Sequence, residues 1–228
     1  MKKEKIWYGI VITMFTMGMG YALLFTTKNP KYDLILSERK MLATAFFNTI
    51  GISLGTLVGA LLIGFVLFMM MRSSMIPIRV FATVFNEIIM GTPLLVMIFV
   101  VVYVIGSVVT GSKLTLGIVA LILYNSPYIA NAYETTAAVV DRDQYVVMDL
   151  YDFKWHERYR YIIIPQMVKP FIPSLVNNLS SVIKGSALLN VIAVHEITYI
   201  TTVTASRNFA FIEGYYIMWL MYLIVTIP

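Results

Sequence analysis

Long apolar runs separated by short polar ones constrain this chain more than any single motif. They fall near residues 6–25, 44–71, 92–110, 114–138, 171–193 and 212–228. About 20 mostly apolar residues carry a helix across the hydrocarbon core of a bilayer. Every backbone polar group must there be satisfied within the protein, which a helix achieves by itself. The pattern predicts an all-α, polytopic integral membrane bundle of about six transmembrane helices, with little room for a separate soluble domain. Composition agrees: 59% of the 228 residues are hydrophobic and 13% are charged, against about 25% charged in a soluble domain.

The same composition removes several classes of function. There is no cysteine, so disulfides, thiolate metal sites and cysteine nucleophiles are out. His156 and His195 are too few and too far apart for a ligand motif. The net charge of +5 is strewn between apolar runs, not gathered on one basic face, so no nucleic-acid partner is expected. The start, Met1-Lys2-Lys3-Glu4-Lys5 and an apolar run, looks like a secretory signal. Ile6 to Phe25 is about 20 residues, however, against 7–15 for a signal core, and no small-x-small site precedes Lys28. It is predicted to be a retained first span.

Lysine and arginine set the orientation. With the N-terminus inside, the cytoplasmic side carries Lys2, Lys3, Lys5, Arg72, Arg79, Arg142, Lys154, Arg158, Arg160 and Lys169. The outside keeps only Lys28, Lys31, Arg39, Lys40, Lys113 and Arg207. Trp7, Trp155 and Trp219 lie near span ends, where aromatic belts form. Asn125-Ser126-Pro127 interrupts the stretch at 114–138, so a bend facing protein or a cavity is expected there. Gly51, Gly55 and Gly59 are spaced four apart, with Gly64 beyond; such a row lets another backbone approach, either within the subunit, the commoner case, or at a dimer seam. The last run closes at Pro228 with no basic anchor, which predicts a short final helix or a further C-terminal stretch.

Two features carry candidate chemistry. Asp141 to Lys169 is the longest polar stretch between spans, amphipathic and rich in aromatics. It reads equally as a helix that docks in a groove of a soluble partner or as one lying in the headgroups, anchored by Trp155, Tyr159 and Tyr161. Lys184 lies about 13 residues into its span, about 20 Å along a helix. An intramembrane cation faces a cavity or a partner. It therefore lines a translocation path or forms a structural pair with Glu134, Glu196 or a backbone carbonyl, pairing being the commoner fate. Tyr128, Asn131 and Ser186 are further pathway candidates.

Gly106-Ser-Val-Val-Thr-Gly111-Ser112-Lys113 approaches the nucleotide-binding pattern G-x-x-x-x-G-K-[ST], but Ser112 stands where lysine is required. No H-E-x-x-H occurs, and no catalytic site is expected in this chain.

Over residues 44–228 the sequence resembles the permease subunits of binding-protein-dependent type I ABC importers, in their polar amino-acid branch. Met90-Gly91-Thr92-Pro93-Leu94-Leu95-Val96-Met97, with Glu87 upstream, resembles that family's Arg-Gly-Thr-Pro-Leu-Leu-Val-Gln. Tyr128-Ile129-Ala130-Asn131-Ala132-Tyr133-Glu134 partly matches Ala-Tyr-x-Ala-Glu-x-x-Arg. Asp143-Gln144 through Asp152 to Ile164-Pro165-Gln166 keeps the spacing of Gly-Gln-x-Glu-Ala-Ala-x-x-x-Gly and Leu-Pro-Gln, and Lys184-Gly185-Ser186-Ala187-Leu188, followed by Glu196, matches Lys-Asp-Thr-Ser-Leu. Val146-Val147-Met148 replace Glu-Ala-Ala, Asp143 and Asp152 replace glycine, Asn131 replaces Glu, and Glu134 replaces Arg.

The resemblance implies an importer permease domain at 44–228 with an extra helix and external loop at 1–43, in the bacterial cytoplasmic membrane. It implies a coupling loop at about 141–166, where Gln144, Tyr145, Val146, Val147, Asp149, Leu150, Tyr151 and Asp152 would meet an ATPase; the alternative for Asp149 and Asp152 is a pairing with basic residues of that partner. It further implies cytosolic ATPase subunits that bind ATP and Mg, a second permease and an extracytoplasmic binding protein. This chain would hold no cofactor, and its departures in the loop favour a heterodimer over a homodimer. Two other readings remain: a secondary transporter or channel, whose inverted repeat of broken helices is not evident in the sequence, and a membrane scaffold or signalling subunit.

Overall fold

The computed structural model describes residues 2–26 and 30–226; Lys28 and Ile227–Pro228 lie outside them. The described residues are helical nearly throughout: α1 Lys2–Thr26, α2 Tyr32–Ser37, α3 Arg39–Met71, α4 Ile76–Gly91, α5 Leu94–Phe99, α6 Lys113–Ala137, α7 Arg142–Leu150, α8 Trp155–Glu157, α9 Ile164–Ser186, α10 Ile197–Asn208 and α11 Phe211–Thr226. A wide π turn, Val100–Val104, and a tight turn, Ile105–Ser107, extend α5. A second π turn, Arg158–Ile163, leads into α9, and the 3₁₀ turn Ala187–Ile192 ends it.

The fold is an all-α, polytopic membrane helix bundle. Among the described residues α3 and α6 are each long and apolar enough to cross a bilayer. Two bent pairs have the required composition only when taken together: Ile76–Gly91 with Leu94–Ser107, at 108°, and Trp155–Ile192 with Ile197–Asn208, at 50°. The first bend follows from Gly91-Thr92-Pro93. Proline lacks an N–H and disfavours a helical residue before it, and Thr92 is extended, at φ −95° and ψ 126°.

This corrects the sequence reading at two places. Most of residues 72–91, read as a connection before a span at 92–110, form a helix of their own, Ile76–Gly91, bent by 108° from the next. The break was also expected in the wrong helix. Pro127 lies within an uninterrupted, buried stretch of α6, whereas the predicted span at 171–193 leads into the bend between Ile192 and Ile197. Backbone exposed by that bend is satisfied from α3, as a bilayer requires. Thr49 Oγ1 accepts from Ile197 N at 3.1 Å, and Asn48 Nδ2 donates to the His195 carbonyl at 2.9 Å.

α3 and α6 run parallel and form the spine. The glycine row splits along it: a Cβ on Gly59 would lie 2.4 Å from Ile122, and one on Gly64 2.7 Å from Ile129 and 2.9 Å from the Ser126 carbonyl, while Gly51 and Gly55 face open space. Packing within the subunit therefore explains half of the row. Gly64→Ala is expected to cost about 1–3 kcal/mol through overpacking, whereas Gly55→Ala stays within about 0.5 kcal/mol. Thermal unfolding of both variants in detergent checks the contrast.

One end of the bundle gathers Phe68, Ala137, Val140, Met148, Ile163 and Met167 from α3, α6, α7 and α9. The other end packs Ile35, Leu42, Ala45, Ile200 and Ala205 from α2, α3 and α10. There α2 is tied to α11: Glu213, buried, accepts from Lys31 N at 2.8 Å, and Tyr32 meets Tyr216 edge to face.

Candidate functional site

The first candidate surface is α7. Asp141 caps it by accepting from Asp143 N at 3.0 Å. Its far end closes in a Schellman arrangement, with Phe153 N bonded to the Met148 carbonyl at 3.0 Å and Asp152 N to that of Asp149 at 3.2 Å. That closure places Asp152 in the left-handed region, at φ 50°. The family pattern has glycine there, and Asp is among the few other residue types enriched in that conformation. The departure in residue type thus leaves the backbone turn in place.

Three contacts fix α7 to the bundle. Gln144 and Gln166 exchange reciprocal amide bonds at 3.3 and 2.7 Å. Arg72, at the end of α3, lies over the Tyr145 ring at 5.9 Å, donates to its hydroxyl at 3.5 Å and pairs with Glu134 of α6 at 3.7 Å. Asp149 pairs with Arg158 at 2.5 Å. Asp149 thus has a charge partner within its own chain while its side chain stays 65% exposed.

Met148 alone of α7 is buried. Val146, Val147, Leu150 and Tyr151 project outward, the last two at 76% and 75% exposure. The result is a rigid helix whose apolar tip points away from the bundle. Arg72, Arg79, Arg142, Lys154, Arg158, Arg160 and Lys169 belong to the segments at this end, which is the inside end by charge.

The second candidate is a cavity of about 350 Å³ between α6 and α9, next to Leu94 at the start of α5. Tyr124, Asn125 and Tyr128 line it from α6, and Asn178, Ser181 and Lys184 from α9. It thus brings together two of the predicted pathway residues, Tyr128 and Lys184. The other two point elsewhere. Asn131 bonds to α4, accepting from Asn86 Nδ2 at 3.0 Å and donating to Met90 Sδ at 3.3 Å. Ser186 is fully buried and donates to the Ile183 carbonyl at 2.8 Å.

The sequence reading passed over Tyr124, Asn125, Asn178 and Ser181. Their signal was present: 178, 181 and 184 follow helical spacing on one face, as do 124 and 128.

Among the described residues the expected structural pair for Lys184 does not form. Glu134 is taken by Arg72, and Glu196 accepts from Thr198 N at 2.9 Å, Tyr199 N at 2.7 Å and Tyr222 Oη at 2.9 Å. Among the described residues Lys184 has no ion pair and no hydrogen bond. Glu196 is itself completely buried and starts α10 just after the bend, so it holds the broken segment in place.

Known proteins share this architecture. The probable glutamine ABC transporter permease protein GlnM of Bacillus subtilis is 28% identical over 199 residues, 86% of this chain and 91% of that protein. The probable amino-acid permease protein YxeN of the same organism is 22% identical, over 86% and 89%. Among solved structures, an amino acid ABC transporter with histidines superposes with TM-score 0.76 at 25% identity, covering 84% of this chain and 90% of that one. The inward-facing MetNI methionine ABC transporter gives 0.70 at 13% identity, covering 83% and 91%, which bears on the fold alone. The family model for the inner membrane component of binding-protein-dependent transport systems matches residues 60–228. With its helical bundle, its protruding α7 and its polar cavity, the chain belongs to that family and is a multi-pass protein of the bacterial inner membrane.

Proposed function

We propose that this chain is one half of the translocation pathway of an ATP-driven importer for a polar amino acid or a close derivative. The observation that carries the reading is the helix α7, capped at both ends, tied down by Arg72, Arg158 and Gln166, and presenting Val146, Val147, Leu150 and Tyr151 outward. An apolar tip on a rigid arm suits insertion into a cleft of a soluble partner, whereas a helix lying in the headgroups would keep its apolar side against the membrane.

In this reading α7 is the coupling helix. Gln144, Tyr145 and Asp149 brace it, Asp152 shapes its end, and its tip seats in a cytosolic ATPase that binds ATP and Mg. Closure of the ATPases moves α7, and Arg72 passes the motion to α3 and α6 through Tyr145 and Glu134. Six spans result when α1 and α11 are counted with α3, α6 and the two bent pairs. Residues 1–43 are an added span and external loop, and 44–228 are the permease domain. A second, different permease supplies the other half of the path, and an extracytoplasmic binding protein delivers substrate. The relatives' names, with glutamine or amino acid in them, favour that substrate class.

Affinity purification of the tagged chain in mild detergent, with identification of its companions, tests the proposal. The expected companions are an ATPase carrying a nucleotide-binding motif and a second permease. Recovery of the chain alone across several detergents, together with ion-driven uptake, would replace the importer by a secondary transporter.

A further inference from the structure

The outer end of the bundle carries more positive charge than its orientation calls for. Lys31, Arg39, Lys40, Lys113 and Arg207 lie on the segments there, with Asp33 and Glu38 against them. Glu196 and Glu213 are buried and already accept bonds from within the chain. Two cavities at this end share Asn48 and His195 in their walls. The larger, about 520 Å³, lies between α3, α6 and the bend before α10; Phe47, Gly51, Leu114 and Ile118 give it apolar sides and Lys113 a cation. The smaller, about 380 Å³, adds Lys40 and Thr44. Among the described residues no carboxylate lines either space, and neither lysine has an ion pair. Asn48 gives one amide N–H to the His195 carbonyl at 2.9 Å, so its second N–H is free for a ligand.

Depth and shape narrow the occupant. The apolar runs of α3 and α6 begin near residues 44 and 114, so Lys40 and Lys113 stand at the headgroup level. Gly51 lies about two turns beyond the start of the first run, within the hydrocarbon. A Cβ on Gly51 or Gly55 meets nothing within 4 Å, although glycine inside a helix is less stable than alanine. Farther along the same row Gly59 is closed by Ile122. The seam between α3 and α6 is therefore open for about two turns only, with the exposed Phe47 at its outer end. A partner helix packs along a longer row of small residues and would have to bring a carboxylate to this depth. A phospholipid carries an anion at the headgroup level and an acyl chain directly beneath it.

We infer that this groove is a site for an anionic phospholipid of the outer leaflet, its headgroup phosphate held by Lys113 and Asn48 with Lys40 alongside, and one acyl chain lying in the seam over Gly51 and Gly55. Ala193, Val194 and His195 belong to the same wall, so the lipid braces the bend before α10 from outside while Thr49 holds it from α3. Each lysine near a membrane surface favours an anionic lipid by about fivefold. The site holds whether or not an ATPase accompanies the chain.

The test uses the full chain with whatever companions it retains in mild detergent. The probe is a phosphatidylglycerol with a photoactivatable diazirine in its acyl chain, and the labelled peptides are mapped. Label is expected on α3 around Phe47 to Val58 and on α6 around Leu114 to Ile122. Unlabelled phosphatidylglycerol should compete at least about fivefold better than phosphatidylcholine with the same chains. Millimolar inorganic phosphate should not compete. Lys113→Gln should weaken labelling there about fivefold. Gly51→Leu fills the seam from a position where the chain offers no clash, and should abolish the label with thermal unfolding unchanged. If that variant unfolds early, Lys113→Gln, at an exposed position, decides. Four results overturn the site: equal competition by phosphatidylcholine, labelling indifferent to both substitutions, competition by free phosphate, or loss of a second permease on Gly51→Leu, which would make the face a subunit seam.

Discussion

The double variant Val147→Asp/Leu150→Asp is expected to release the ATPase and to lower substrate uptake by about 100-fold or more, with the permease itself intact. Both side chains are exposed, at 48% and 76%, and surface changes of this kind leave stability within about 0.5 kcal/mol. In a docked complex they would enter an apolar cleft. Two carboxylates buried there without partners cost several kcal/mol, and each 1.4 kcal/mol is about tenfold in affinity. Size-exclusion profiles in detergent should match the unmodified chain, while the ATPase no longer co-purifies. Retained co-purification and uptake would mean that the partner docks elsewhere. Met148→Asp is the contrasting case, because Met148 is 1% exposed in the core under α7; there the chain itself should fail to fold.

A large loss of stability is expected from Glu196→Ala. Three donors converge on this carboxylate, the N–H groups of Thr198 and Tyr199 and the hydroxyl of Tyr222, all between 2.7 and 2.9 Å. Removing the acceptor strands the first two at a buried helix start. The hydroxyl keeps Thr198 Oγ1 at 2.9 Å as an alternative. Leaving two buried donors unsatisfied, at about 1–3 kcal/mol each, predicts a loss of about 2–6 kcal/mol. Glu196→Gln keeps one carbonyl oxygen as an acceptor and should lose about half as much. Thermal unfolding of the purified variants reads both. An unchanged Glu196→Ala would show that the bend between Ile192 and Ile197 is held by Thr49 and Asn48 alone.

Helix existence was legible because hydropathy reports it directly: α1, α3, α6 and α11 fall where the apolar runs lie. The breaks were not. Pro127 announced a break in α6 that burial suppressed, while the bend near Ala193 and Glu196 has no proline and depends on Ala193 in a left-handed conformation and on side chains from α3. α4 escaped because Asn86 and Glu87 dilute its hydropathy. Asn86 is buried against Asn131, a polar pair that only the tertiary structure reveals. Lys184 was visible as an intramembrane cation, but its lack of a partner among the described residues was not, since that depends on which groups Glu134 and Glu196 bind.

The single buried residue in α7 has a consequence for how such a chain changes over generations. If α7 seats in the ATPase as proposed, Val146, Val147, Leu150 and Tyr151, all exposed, answer to that fit and hardly at all to the stability of the fold. Selection acts on the tip and on the core through different proteins. The bundle can keep its architecture while the tip drifts to match a new or altered ATPase, and a gene encoding such a permease can be re-paired by a few surface substitutions.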